Sequence, residues 1–288
     1  MSLPAALAVC AILATARLPG AVLFQEDFSV PGTTLNTSLW TTEIGPSSFL
    51  GRTQLTNWVS GGGQFVTGAS GGQLALQTFN PSGFSLFGTH AKTIQTFQPA
   101  VSSTIDLTVR LRVTSLQQGL VFGLYFYGCV PGFCATQHDE IDIEIVTNFL
   151  QGPGTLQVQT NRYANEPLGA GNGFVANLPG GFDPLAFHDW TVRWSLNRID
   201  YLVDGVLLFT TTSHVPQGPM QANIIAWGPD VDWAAAYHNS LQPVNSALSN
   251  QTFLAQVDSV TVTETAIPEP ATGPVVALAA AILLLRRR

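Results

Sequence analysis

Charge is what this chain has least of. Asp, Glu, Lys and Arg make up 10% of its 288 residues, against 45% hydrophobic ones. Positive charge is scarcer still, with 11 Lys+Arg facing 18 Asp+Glu and a formal net charge of −7. Such a chain has little basic surface with which to neutralise phosphates. That argues against nucleic acid or an anionic membrane as its main partner and suits a neutral polymer such as a polysaccharide. Cysteine is nearly absent too. Of three, Cys10 falls in an N-terminal apolar run, which leaves Cys129 and Cys134. Two thiols without further suitable ligands nearby do not make a structural zinc site. In an oxidising compartment they are expected to form a disulfide that closes a small loop. Helix formers are few, whereas 27 Gly, 18 Pro and Thr-rich alternating segments favour an all-β chain. Repeats and long linkers are missing, so a single domain is expected over residues 22–265.

Two apolar runs mark the ends. Leu3 to Ala16 forms a short apolar run whose last residues, Ala14-Thr15-Ala16, offer a small-x-small cleavage site, with Ala21 as an alternative end point, so residues 1–21 read as a signal peptide. Its positive n-region is reduced to the amino terminus. At the other end Ile267-Pro268-Glu269-Pro270-Ala271-Thr272 leads into an apolar run to Leu285 and then Arg286-Arg287-Arg288. As a helix, Ala271 to Leu285 would rise only about 22 Å against a hydrocarbon core of about 30 Å. That is short for a permanent anchor, and the basic end would stay cytoplasmic. Residues 266–288 resemble the PEP-CTERM sorting signal of Gram-negative bacteria. The resemblance implies export to the cell surface or medium through a transient membrane-held stage; an ordinary tail anchor is the alternative.

Between the ends, short alternating segments dominate. Ile105 to Val113 places Leu107, Val109, Leu111 and Val113 on one face, and Leu120 to Tyr127 places Leu120, Phe122, Leu124 and Phe126 on another. Trp190, Val192 and Trp194 share a face. Ile199 to Val203, Asp204-Gly205 and Val206 to Thr210 read as a hairpin with a tight turn. Val257 to Thr263 closes the domain. Many evenly spaced strands point to a sandwich or jelly roll.

On this charge-poor background one segment stands apart, His138-Asp139-Glu140-Ile141-Asp142-Ile143-Glu144. Read as a strand, it puts His138, Glu140, Asp142 and Glu144 on one face and isoleucines on the other. Like charges at this spacing raise each other's pKa. Two carboxylates flanking a glycosidic bond make a glycosidase, and in retaining enzymes they lie about 5–5.5 Å apart. The α-carbons of Glu140 and Glu144 would be about 13 Å apart on a flat strand, so the pair can cooperate only on the hollow face of a bent sheet. Asp142 between them can share a hydrogen bond with Glu140 and help set the protonation state of the pair. A calcium-binding strand or a merely solvated face are the alternatives, although calcium ligands more often sit on loops.

The segment HDEIDIE resembles the active-site signature of glycoside hydrolase family 16, Glu-x-Asp-x-Glu. It lacks the extra residue of most bacterial laminarinases, as in the branch of lichenases and xyloglucan endotransglucosylase/hydrolases. Further similarity runs through Phe24-Gln25-Glu26-Asp27-Phe28, Trp40, Val158 to Tyr163, Phe187 to Trp190 with Trp194, Tyr201 to Gly205, Met220 to Trp227 with Asp232-Trp233, and Val257 to Val260. The resemblance implies a concanavalin A-like β-jelly-roll sandwich with a concave substrate cleft, and a monomer. It makes Glu140 the nucleophile, Asp142 its helper and Glu144 the general acid/base, with no cofactor required for chemistry. Asn161, Tyr163 and Trp227 fall where they could line a sugar cleft, Trp227 being equally readable as core. Tyr125 and Tyr127 are favoured for the cleft because their strand neighbours fill the other face. His138 is either a partner of the acidic cluster or a satisfied structural histidine. Asp258 matches an aspartate that binds a structural calcium in some members. The implied activity is endo-hydrolysis of a β-1,3/1,4-linked glucan, with transglycosylation or non-catalytic carbohydrate binding as alternatives. Departures at Ile145-Val146-Thr147, Glu166 to Asn177 and Ile224 to Ala226 bear on which glucan is used.

Overall fold

The computed structural model describes residues 20–30, 35–46, 50–56, 71–134, 136–167 and 172–267. The expected signal peptide, apart from its last two residues, and the sorting segment from Pro268 onward lie outside the described residues. In chain order the strands are β1 (Ala21–Glu26), β2 (Trp40–Thr41), β3 (Gly45–Pro46), β4 (Thr53–Thr56), β5 (Gly72–Gln77), β6 (Leu86–Phe97), β7 (Ser103–Val113) and β8 (Val121–Cys129). There follow β9 (His138–Val146), β10 (Gln157–Glu166), β11 (Phe174–Asn177), β12 (His188–Ser195), β13 (Arg198–Val203), β14 (Val206–Thr211), β15 (Met220–Trp227) and β16 (Thr252–Ala266). Among the described residues the helices are two single 3₁₀ turns, Thr147–Leu150 and Ala247–Ser249.

The hydrogen-bonded order is β11-β10-β9-β8-β15-β6-β5-β16-β7-β12-β13-β14, with β1 beside β16, β2 and β4 beside β6, and β3 beside β4. The path changes layer along β6. Its first residues, Leu86 to Thr89, pair with β4 and β5, and His90 to Phe97 pair with β15. Gly88 marks the crossing, because a Cβ there would overlap the carbonyl oxygen of Ala226. The outcome is a nearly all-β, jelly-roll-like sandwich with a large curved sheet, the class anticipated from the sequence.

Alternation builds the core. Ile105, Leu107, Val109, Leu111 and Val113 of β7 are buried, as are Phe122, Leu124 and Phe126 of β8 and Trp190, Val192 and Trp194 of β12, all in one cluster. Ile141, Ile143 and Ile145 of β9 join it, and each fully buried side chain of this size contributes roughly 1.5–3 kcal/mol. Those isoleucines fix the register of β9, since a slip by one residue would drive the carboxylates into the core. The expected hairpin is present. Asp204 and Gly205 both have positive φ, 49° and 75°, as a two-residue type I′ turn requires.

Candidate active site

The strand β9 lies between β8 and β10, and three cross-strand rows pass through its acidic residues. Tyr127, Glu140 and Tyr163 form one, Tyr125, Asp142 and Asn161 the next, and Gly123, Glu144 and Gln159 the third. Three residues singled out from the sequence, Tyr125, Asn161 and Tyr163, therefore flank the acidic triplet directly. All face away from the sandwich core, yet Asp142 is only 5% exposed, so this face is a hollow with walls. Glu140 keeps 20% of its side chain exposed, enough to be reached from the hollow. At Gly123 a Cβ would come 2.9 Å from Cγ2 of Ile225; a side chain there would crowd the floor beside Glu144.

Trp227 ends β15. Ala222, Ile224 and Ala226 of that strand enter the core, so alternation puts Trp227 on the hollow side. It packs 5.5 Å from Trp233 and touches the small clusters around Leu50, Leu55 and Ile225 and around Val121, Val146 and Ala236. It is a partly exposed wall residue rather than part of the sandwich core. Asn161 donates from Nδ2 to the Tyr163 hydroxyl at 3.2 Å, and its carbonyl accepts from the Tyr201 hydroxyl at 2.8 Å. His138 is buried, with its ring 4.4 Å from that of Tyr163 and 5.6 Å from that of Tyr127. Its Nε2 lies 3.3 Å from Oε2 of Glu140.

Sequence reasoning missed the opposite wall. The backbone N–H of Glu43 donates to Nδ1 of His90 at 3.3 Å, which makes Nε2 the donor to Oδ1 of Asn223 at 3.0 Å. Burial pushes the His90 pKa down to about 4, so this is a neutral link. Asn223 then sits beside Tyr125 in the sheet. Asn223 shares its face with Trp227 and was readable by alternation. His90 lies where β6 changes layer, and no period marks it.

The electrostatics separate the carboxylates. Burial, then the charge of Glu140, raises the Glu144 pKa to about 8. Burial also raises Glu140, but His138 opposes the rise. Asp142 is pushed well above the ordinary carboxylate range by burial and then by the charges of Glu144 and Glu140. At neutral pH the arrangement can hold a proton on Glu144 while Glu140 is the group best placed to ionise.

Cys129 and Cys134 are joined by a disulfide at the end of β8, where Cys129 pairs with His138. Asp258 lies elsewhere, at a bulge of β16, where its carboxylate faces an arginine. Its Oδ2 lies 3.3 Å from Nε of Arg110, whose Nη1 lies 3.1 Å from Asp189. A guanidinium thus already offsets the charge of both carboxylates, and among the described residues no group of three or more His, Cys, Asp or Glu gathers to hold a metal ion.

Comparison with known proteins places this geometry. The family model for glycosyl hydrolases family 16 matches residues 53–241, which include the whole acidic strand and its flanking rows. An endo-1,3-1,4-beta-glycanase of Rhizobium meliloti is 35% identical over 104 residues, covering 35% of this chain and 36% of that protein. A beta-glucanase of Bacillus licheniformis is 36% identical over 135 residues, covering 45% of this chain and 50% of that protein. The chain thus spans between about a third and a half of the length of these curated relatives. The crystal structure of a prokaryotic beta-1,3-1,4-glucanase (lichenase) from a mouse hindgut metagenome superimposes with a TM-score of 0.62 at 22% identity, covering 83% of this chain and 98% of that one. The family match covers well over half of the chain, and the chain belongs to glycosyl hydrolases family 16.

Proposed function

We propose that the protein is a retaining endo-β-glucan hydrolase acting on a β-1,3/1,4-linked polysaccharide. The observation that carries this reading is the split on one strand face, with Glu144 protonated up to about pH 8 and Glu140 partnered by His138. Glu144 gives its proton to the glycosidic oxygen as Glu140 attacks the anomeric carbon, and the leaving chain departs as an alcohol. Glu144, now a carboxylate, takes a proton from water, which displaces Glu140 and restores both groups. Asp142, buried between them, keeps its proton and offers it to the Glu140 carboxylate. Asn161, Tyr163, Tyr125 and Trp227 line the path of the glucan. The relatives named as an endo-1,3-1,4-beta-glycanase and a beta-glucanase favour this substrate class.

The termini extend the proposal. The N-terminal apolar run and the Pro-Glu-Pro segment support export from a Gram-negative cell, with a passing membrane association before release of a monomer. Among the described residues no helix is long and apolar enough to cross a membrane. The test is incubation of the purified domain with lichenan, laminarin, xyloglucan and agarose, following new reducing ends. Lichenan or laminarin should be cut by the wild type, and Glu140→Gln and Glu144→Gln should each lose at least about a thousandfold. A wild type that cuts none of the polymers, or variants that keep full activity, would overturn the reading. New long chains without net reducing ends would assign transglycosylation instead.

A further inference from the structure

We propose that His138 is the positioning residue of this site, holding Glu140 as a carboxylate and so fixing which of the two strand glutamates attacks. Its part in turnover rests on the glycosidase reading above; its effect on Glu140 rests on geometry alone. The ring is 1% exposed and lies between Tyr127 and Tyr163, at 28° and 40° to their planes. That sandwich leaves the imidazole little freedom to turn. Neither ring nitrogen has an aligned hydrogen-bond partner, and the one ion-pair contact is the 3.3 Å approach of Nε2 to Glu140. A buried N–H is costly to leave unpaired, and a carboxylate is its strongest available acceptor. Glu144 occupies the same face four residues on, and among the described residues no Lys, Arg or His lies within ion-pair distance of it. Two glutamates in one hollow are thus made unequal by one imidazole.

The other groups facing Glu140 cannot supply this asymmetry. They are Tyr125 and Tyr127 from β8, Tyr163 from β10, Tyr201 from β13 in the opposite layer, and Asp142 and Glu144 from β9 itself; Glu43 lies farther off, beside the two β8 tyrosines. All are acids or phenols, and none carries positive charge. Lys92, at the far wall, is paired with Glu43 at 2.7 Å.

Two variants separate the donor from the ring. His138→Phe keeps the aromatic sandwich and removes the donor, whereas His138→Gln keeps a donor and removes the ring. The direct readout is a carbon-13 titration of the Glu140 carboxyl, assigned with Glu140→Gln. In His138→Phe its midpoint should rise by about one pH unit, and the acidic limb of kcat/KM should move with it while KM holds. His138→Gln should return most of the shift. A folded His138→Phe protein with an unmoved midpoint, or a loss of kcat that is uniform in pH, would overturn the proposal. If His138→Phe does not fold, an upward midpoint shift in His138→Gln as large as one pH unit would overturn it, because the donor remains, and an unmoved one would support it. Should the midpoint move in a protein that cuts no glucan, the glycosidase reading falls and the role of the imidazole stands.

Discussion

At the scale of single residues, the site works by making like groups unlike. Glu140, Asp142 and Glu144 have the same chemistry and share one strand face, yet burial and neighbours give each a different hold on its proton. Activity should therefore follow a bell in pH whose basic limb lies near 8, where Glu144 loses its proton, and whose acidic limb belongs to Glu140. A kcat/KM profile with no fall between pH 7 and 9 would contradict this. Stability carries the same signature. Glu144 has a folded pKa of about 8 against an ordinary value of 4.5, so the native state binds the proton more tightly. Its contribution to stability is present at acid pH and is lost as pH rises through that window. Glu144→Gln removes the loss, and thermal melts should show the variant gaining on the wild type from pH 5 to pH 9. Trp227, on the wall rather than at the reacting atoms, should act on binding: Trp227→Ala should raise KM with kcat little changed.

At the scale of elements, legibility followed periodicity. The strand β9 could be read in full, because its isoleucines and carboxylates alternate without a break. The hairpin of β13 and β14 could be read from Asp204-Gly205. The two-residue strands β2 and β3 could not, since pairing across the fold makes them rather than any local pattern. His90 was invisible for a related reason: its role depends on Glu43 and Asn223, brought to it by β2–β3 and β15. The disulfide was readable from the cysteine count together with the expected export to an oxidising compartment. It clips the turn between β8 and β9, with Cys129 opposite His138. Closing so small a loop is worth about 2 kcal/mol in the chain-entropy account. The double substitution of Cys129 and Cys134 by Ala should lower the urea midpoint accordingly, while an unchanged midpoint would show that β8 and β9 hold the turn unaided.

At the scale of the whole molecule, one sandwich serves both stability and site. The isoleucines of β9 anchor the strand in the core, and the same strand presents the carboxylates to the hollow. The convex layer offers a separate test. Arg110 stands between Asp189 and Asp258, so a chelator should leave the melting temperature and activity unchanged. Added calcium that raises the melting temperature, an effect lost in Asp258→Asn, would contradict the assignment of that corner to the arginine. The most direct measurement of the central claim is covalent trapping. A 2-deoxy-2-fluoro β-glucoside with an activated leaving group slows release of the glycosyl-enzyme, and peptide mass spectrometry then locates the sugar. The account predicts one label, on Glu140. A label on Glu144, or turnover of the reagent through an inverted first product with no label at all, would contradict it.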